Sequence, residues 1–357
     1  DSRATTPDEA TMLLLAAIPM SMRESYDRVG VIGFGSGMTT HALLGNSNIA
    51  RVDTVEIEPA MVEGARHLGH RVDRAFDDPR SHVIIDDAKA YFASVPSKYD
   101  LIISEPSNPW MGGTASLFST EFYQYIPRQL NKDGLFVQWL QLYEITPELV
   151  NSVLSAMLLN FKDTKAYLAN ETDLILVASP HGGVPDLGGS IFSQPMVAAD
   201  LARIGVKGVR DLQDTVVMDR HGLDGYVSLY PHRVNSDMFP VLKLQAPQTR
   251  FQNAQTADFD DLGSAPWPII RRFGGPAPRT AELAGLTRRL PLTAVRQGRE
   301  ASRIFDALLG VTSDSPAAML VFNRLQVDAV RGLAASCRLG ARPTRDAGMI
   351  FALASQT

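Results

Sequence analysis

Short apolar runs alternate with helical patterns over the first 160 residues of the chain. Five runs have the length and composition of buried strands: Val29–Ile32, Val52–Ile57, Val83–Ile85, Leu101–Ser104 and Leu135–Leu140. Six segments have apolar residues at helical spacing: 7–22, Thr39–Leu44, Pro59–Leu68, Ala88–Ala93, Thr120–Leu130 and Pro147–Leu159. Alternation of this kind predicts a parallel sheet with helices on both faces.

The pattern changes after the fifth predicted strand. Thr164–Leu168 and Leu174–Ala178 flank a short turn and predict an antiparallel hairpin that closes the sheet. We therefore expect a Rossmann-like, methyltransferase-type α/β domain over residues 1–250, with a mostly parallel sheet and a terminal antiparallel hairpin. From about residue 260 the chain becomes rich in Ala, Leu and Arg, which predicts a helical C-terminal module over residues 260–357.

Composition excludes some classes of function. The chain has 357 residues, a net charge of -5 and scattered basic residues, so we expect no nucleic-acid partner. Its one cysteine, Cys337, excludes an intrachain disulfide. No apolar run reaches the roughly 18 residues that a transmembrane helix needs, so the chain as given is expected to be soluble.

A glycine loop follows the first predicted strand. The sequence Gly33-Phe34-Gly35-Ser36-Gly37 lies between a strand and a helix, where glycines permit a tight turn and close approach of a ligand. The G-x-G-x-G spacing favours an adenosyl amino acid over a dinucleotide, whose pyrophosphate needs the helix N-terminus. A purely structural turn could use the same glycines.

Acids end the second and third predicted strands. Glu56 lies about 20 residues beyond the glycines, where a carboxylate can accept hydrogen bonds from ribose hydroxyls. Glu58, followed by Pro59, is expected to cap the next helix. Asp87 is the candidate for the adenine amino group, and Asp86 for the cap of the helix that follows.

The fourth predicted strand delivers Glu105 to the carboxyl edge of the sheet, where ligands bind in open α/β folds. Glu105 begins the segment Glu-Pro-Ser-Asn-Pro-Trp, whose prolines shape a loop. A carboxylate beside a sulfonium could deprotonate an attacking amine or hold a cation. The alternative is a rigid turn in which Glu105 is solvated.

The run from Val29 to Leu140 resembles the spermidine/spermine synthase family. It is most similar to the branch often fused to membrane-transporter-like helices, in which Glu-Pro-Ser-Asn-Pro-Trp and Val-Gln-Trp-Leu-Gln are typical. The resemblance implies a polyamine aminopropyltransferase that uses S-adenosylmethionine or its decarboxylated form. It also implies a cytoplasmic location, with a membrane tether N-terminal to this chain as an alternative.

The resemblance also implies roles for individual residues. The cofactor-binding set is Gly33, Gly35, Ser36, Gly37, Glu56, Ile57, Asp87 and Ala88. Glu105 stands where the family has a catalytic aspartate, and the substrate set is Asn108, Gln138 and Tyr143. No metal site is predicted.

Ser36 and Asn108 depart from the family, which has acids at both positions that help to hold a polyamine. Their loss leaves the polyamine specificity open. The family's small N-terminal β domain also has no counterpart here, so we expect either a fragment of a longer protein or an unusually open site.

Three functions remain after these observations. The first is transfer of an aminopropyl group from an adenosyl sulfonium donor to a small-molecule amine. The second is a methyltransferase or another S-adenosylmethionine-consuming enzyme, because function is a property of the site and not of the fold. The third is a non-catalytic cofactor-binding or assembly module. Homo-oligomerisation is left open.

Overall fold

Eight strands form one sheet in this computed structural model, which describes residues 7–256 apart from 112, 171, 214, 228–231, 253 and 255. They are β1 (Val29–Ile32), β2 (Val52–Glu56), β3 (Ser81–Ile85), β4 (Tyr99–Ser104), β5 (Leu130–Gln141), β6 (Asp163–Asn170), β7 (Asp173–Ser179) and β8 (Val216–Met218). Their order is β3-β2-β1-β4-β5-β7-β6-β8. The first five strands pair in parallel and the last three join antiparallel, which confirms the predicted sheet and its hairpin.

The helices of the described residues fill the connections between strands. They are α1 (Pro7–Met22), α2 (Met38–Leu44), α3 (Pro59–Ala65), α4 (Arg74–Asp77), α5 (Ala88–Ser94), α6 (Thr120–Gln129), α7 (Pro147–Leu158), α8 (Pro195–Arg203), α9 (Val209–Gln213), α10 (Arg220–Val227) and α11 (Val241–Phe251). Short 3₁₀ turns lie at Arg66–Arg71, Thr114–Phe118 and Ser190–Ser193. The helix predicted to reach Leu68 therefore ends at Ala65 and continues as a 3₁₀ turn.

The main core lies between one face of the sheet and helix α1. Residues 13–18 of α1 are all buried. They belong to the same apolar cluster as Val29 and Val31 of β1. Each fully buried Leu or Ile side chain contributes about 1.5–3 kcal/mol. The hydroxyl of Tyr26 donates to the carbonyl of Pro19 at 2.5 Å, which fixes the chain between α1 and β1. Helix α1 is thus an integral layer of the domain.

Residues 7–220 and 232–256 form one compact unit, and the residues of α10 that follow Arg220 belong to a second. The helical module predicted over residues 260–357 lies outside the described residues. Among the helices that are described, none combines the length and the apolar character needed to cross a bilayer.

Candidate active site

The carboxyl ends of the central strands bring the predicted site residues to one edge of the sheet. Ile32 pairs with Val55 on one side and with Ser104 on the other. The backbone continues this alignment by one residue, since Gly33 N donates to Val55 O and Glu105 N donates to Ile32 O, each at 2.9 Å. The glycine loop, Glu56 and Glu105 are therefore neighbours although 72 residues separate the first from the last.

Two glycines of the loop have different physical reasons for lacking a side chain. Gly33 has φ +93°, and a Cβ there would lie 2.3 Å from the carbonyl oxygen of Glu105. Gly35 has φ +50°, and a Cβ there would meet nothing within 4 Å. Gly33 thus allows β1 and the Glu105 loop to approach each other, whereas Gly35 lies at an open tip of the loop. Close packing therefore explains the glycine at position 33, while the ligand-binding role of the loop stays a prediction.

Glu56 joins the end of β2 to the glycine loop. Its carboxylate is 8% exposed and accepts from Phe34 N at 2.8 Å and from Glu58 N at 2.9 Å. A carboxylate oxygen can accept more than one hydrogen bond, so these contacts leave acceptor capacity for a ribose. The predicted cap at Glu58 is confirmed, because its side chain accepts from Ala60 N at the start of α3.

The helix cap that was predicted at Asp86 lies at the neighbouring acid instead. Asp87, not Asp86, caps α5, with its Oδ1 accepting from Ala90 N at 2.9 Å. Asp86 instead accepts from the backbone N–H of Asp87. The sequence could not distinguish the two because both are short acids directly before the helix. Because the cap uses Oδ1 of Asp87, the predicted contact of this residue with adenine would be made by Oδ2.

Two exposed isoleucines flank these acids. Ile57 is 69% exposed after β2, and Ile85 is 49% exposed at the end of β3. Ala88, also in the predicted cofactor set, is buried at the first turn of α5. An apolar flank beside carboxylate acceptors is what a purine needs, since its ring is apolar on the faces and polar at the edge.

Glu105 is held by a hydroxyl inside the site and is not a solvated turn residue. Thr39 Oγ1, on α2, donates to Glu105 Oε2 at 2.5 Å. Burial raises the pKa of the Glu105 carboxyl to about 7, with the Thr39 hydrogen bond lowering it and the charge of Asp173 raising it further. A carboxylate that titrates near neutral pH is suited to accept a proton in a reaction.

Asn108 and Tyr143, both in the predicted substrate set, contact each other. Asn108 Nδ2 donates to the Tyr143 hydroxyl at 2.9 Å. The ring of Trp110 lies edge-on to Tyr143 at 6.4 Å between centroids, and the guanidinium of Arg250 lies 5.5 Å over Trp110. The loop after Glu105 and the segment after β5 thus form one wall of the candidate site. Helix α11 contributes Arg250 to this wall, a cation that the sequence did not indicate.

Gln138 does not join this wall. It is fully buried, its amide nitrogen donates to the carbonyls of Ser104 and Trp139, and its oxygen accepts from the Tyr123 hydroxyl. Its position supports the pairing of β4 with β5 rather than contact with a substrate. Gln138 is therefore removed from the proposed substrate set.

Asp173 is a candidate site residue that the sequence did not indicate. It is 4% exposed at the start of β7, and it accepts from Trp139 Nε1 at 2.9 Å, Thr11 Oγ1 at 2.8 Å and Asn170 Nδ2 at 2.7 Å. Its charge reaches both Glu105 and Tyr143, raising the pKa of each. The available signal was an acid that opens an otherwise apolar strand, but only the packing of α1 shows where it lies.

Comparison with known proteins gives the same resemblance as the motifs. Residues 10–171 match the spermine/spermidine synthase domain. This part of the chain is therefore similar to a spermine/spermidine synthase domain. A polyamine aminopropyltransferase of Thermotoga petrophila is 30% identical over 123 residues, which are 34% of this chain and 42% of the relative. A polyamine aminopropyltransferase of Erwinia tasmaniensis is 34% identical over 125 residues, 35% of this chain and 44% of the relative.

The matches thus span less than half the length of these relatives. Among solved structures, the spermidine synthase from Thermotoga maritima is 24% identical, with a TM-score of 0.43, covering 48% of this chain and 60% of that one. A probable spermidine synthase from Corynebacterium glutamicum is 18% identical, with a TM-score of 0.47, covering 64% and 80%. The domain match and the two sequence relatives confirm the resemblance to the family, while fusion to membrane helices stays a prediction.

Proposed function

We propose that this spermine/spermidine synthase domain transfers an aminopropyl group from decarboxylated S-adenosylmethionine to a small-molecule amine. The observation that carries the proposal is Glu105, a carboxylate whose pKa is raised to about 7 and which lies against the glycine loop at the carboxyl edge of the sheet. The names of the relatives, polyamine aminopropyltransferases, support the same reaction class.

The residues at the sheet edge fit an adenosyl donor. The open tip at Gly35 leaves room for the amino-acid or aminopropyl arm, and Ser36 follows it with its hydroxyl near the sulfur of Met12 at 3.0 Å. Glu56 would accept from the ribose and Asp87 from the adenine amino group, with Ile57 against the ring. When bound, the donor supplies an electrophilic carbon next to its sulfonium.

The role of Glu105 follows from the balance of the reaction. The amine nitrogen forms a bond to the carbon next to sulfur as the carbon–sulfur bond breaks, and the electron pair of that bond leaves with methylthioadenosine. The attacking nitrogen must lose a proton, and the Glu105 carboxylate is the acceptor. Thr39 orients this carboxylate through its hydroxyl, so attack occurs from a fixed direction.

The test is release of methylthioadenosine from decarboxylated S-adenosylmethionine with a panel of amines. Glu105→Gln keeps size and hydrogen bonding but cannot take a proton, so turnover should fall by about 10²–10⁴-fold while donor affinity changes little. Glu24→Gln is the matched control, an exposed acid ahead of β1 at the opposite edge of the sheet, and it should leave turnover unchanged. Wild-type turnover in Glu105→Gln would refute the assignment of the base.

A further inference from the structure

The hydroxyl of Thr39, on helix α2, lies between two oxygen acceptors. The residue is 3% exposed, and its Oγ1 lies 2.5 Å from Glu105 Oε2 and 3.3 Å from the main-chain carbonyl oxygen of Met12 in helix α1. A threonine hydroxyl has one hydrogen to donate and two lone pairs that accept. While Glu105 is ionised, this group of three oxygens therefore has one hydrogen for two acceptors.

The ionised carboxylate is the stronger of the two acceptors. Hydrogen bonds to a charged group are shorter and stronger than those between neutral groups, in agreement with the shorter of the two distances. Thr39 therefore donates to Glu105 in this state. The Met12 carbonyl has two lone pairs, so it can accept from Thr39 in addition to its hydrogen bond within the helix.

One added proton satisfies all three oxygens. A protonated carboxyl has one O–H donor, and Thr39 Oγ1 is the acceptor that lies within hydrogen-bond distance of Glu105 Oε2. The Thr39 hydrogen can then turn to the Met12 carbonyl, which gives a chain of two hydrogen bonds in one direction. A buried O–H without an acceptor is costly, and this chain avoids that cost.

The position of Met12 is fixed by the glycine loop and by the core. Ser36 Oγ donates to Met12 Sδ at 3.0 Å, and the same Oγ accepts from Met38 N at 3.3 Å at the start of α2. Residues 13–18, which follow Met12 in α1, are all buried. The Met12 carbonyl is therefore a fixed acceptor, and only the O–H bond of Thr39 has to rotate.

Both protonation states of Glu105 are populated near neutral pH. Burial raises the pKa of its carboxyl most, the Thr39 hydrogen bond lowers it, and the charge of Asp173 on β7 raises it, which brings it to about 7. A hydroxyl that bonded well to only one of the two states would favour that state. The chain from Glu105 through Thr39 to Met12 has a hydrogen-bonded arrangement for each.

We propose that Thr39 is a positioning residue for Glu105 in both of its protonation states, because its hydroxyl turns from the carboxylate to the Met12 carbonyl when Glu105 takes a proton. The inference rests on the proposed function, in which that proton comes from the attacking amine. The proton moves from the amine nitrogen to Glu105 and stays there until the carboxyl ionises again. The non-hydrogen atoms of the site keep their positions throughout.

The test is a double-mutant cycle of Thr39→Val with Glu105→Met, followed by the urea midpoint of the protein without any ligand. Val keeps the shape of Thr without the hydroxyl, and Met fills the volume of Glu without a carboxyl. Because the pKa of Glu105 is about 7, measurements at pH 5 and pH 9 sample its protonated and its ionised state. We expect Thr39→Val to lower the midpoint at both pH values, and to lower it by less when Glu105→Met is also present.

Thr40→Val is the matched control. Thr40 is the next residue of α2, it is 1% exposed, and its Oγ1 pairs with Thr54 Oγ1 of β2 at 2.7 Å. Its substitution should lower the midpoint equally with and without Glu105→Met. Thr39→Ser keeps the hydroxyl and should remain close to wild type at both pH values. Glu105→Leu provides a second cycle with the same expectation.

The outcomes for Thr39 and for the reaction are distinguishable. Coupling between Thr39 and Glu105 at pH 9 alone would overturn the proposal, because the hydroxyl would then bind only the carboxylate. Coupling at pH 5 alone, or at neither pH, would overturn it as well. The cycle needs no donor, amine or turnover, so a wild type that releases no methylthioadenosine refutes the proposed reaction while the midpoints still decide the role of Thr39.

Discussion

The raised pKa of Glu105 makes the stability of the domain depend on pH in a defined direction. Burial raises this pKa from 4.5 to about 7, so the folded state binds the proton more tightly than the unfolded chain. The stabilisation is complete below the unfolded pKa of 4.5 and is lost as pH rises through the folded pKa. A shift of this size corresponds to roughly 3 kcal/mol, because each pKa unit is worth about 1.4 kcal/mol.

Replacing Glu105 with Gln removes this dependence, since Gln does not titrate. We expect the free energy of unfolding of Glu105→Gln to rise relative to wild type by roughly 3 kcal/mol from pH 4.5 to pH 7, and the difference to level off above pH 7. Urea unfolding of both proteins at intervals over this range measures it. Burial, and then the charge of Arg74, lower the pKa of His41 to about 4. This histidine titrates in the same way in both proteins, so it does not contribute to the difference between their stabilities.

Glu24→Gln should run parallel to wild type throughout, because that side chain is exposed. If the wild-type and Glu105→Gln stabilities also run parallel between pH 4.5 and 7, Glu105 is not a buried carboxylate and cannot be the poised base.

Two further substitutions test how the donor loop is built. Glu56→Ala should weaken binding of adenosyl ligands by about 1.5–3 kcal/mol in calorimetry, whereas Glu58→Ala, which removes only a helix cap, should cost about 1 kcal/mol of stability without changing affinity. Equal affinities in the two variants would exclude the ribose role. Gly33→Ala should destabilise the domain by about 1–3 kcal/mol or more in urea unfolding, because a Cβ there meets the Glu105 carbonyl at positive φ. Gly64→Ala, in helix α3 with open space around it, should instead stabilise the domain by up to about 1 kcal/mol. Similar effects of the two substitutions would show that the close approach of Gly33 to the Glu105 carbonyl does not require a glycine.

The regular part of the fold could be predicted from local pattern alone. Strand β1 was bounded correctly at Val29–Ile32, because a continuous apolar run between a turn and a glycine loop is typical of a strand buried on both faces. Strand β5 was predicted from Leu135 but begins at Leu130, since Leu130 already pairs with Tyr99 of β4. Strand β8 has three residues and too little pattern to be detected.

The candidate site residues that directly follow strand ends could be predicted from the sequence. Those whose position depends on tertiary packing could not. Glu56 and Glu105 follow β2 and β4, and parallel register alone brings them together. Gln138 was predicted to contact the substrate but donates to the Ser104 carbonyl of β4, because the sequence does not show which side chains of β5 face the site. Asp173 required the contact with Thr11 of α1, 162 residues away, which no local pattern encodes.

The central claim is that this domain transfers an aminopropyl group, and the products of a single incubation test it most directly. The protein is given S-adenosylmethionine, its decarboxylated form and diaminobutane together, and the products are identified by mass spectrometry. We expect aminopropylated diamine with an equal amount of methylthioadenosine, and no adenosylhomocysteine. Methylated amine with adenosylhomocysteine would contradict the account and assign the site to methyl transfer.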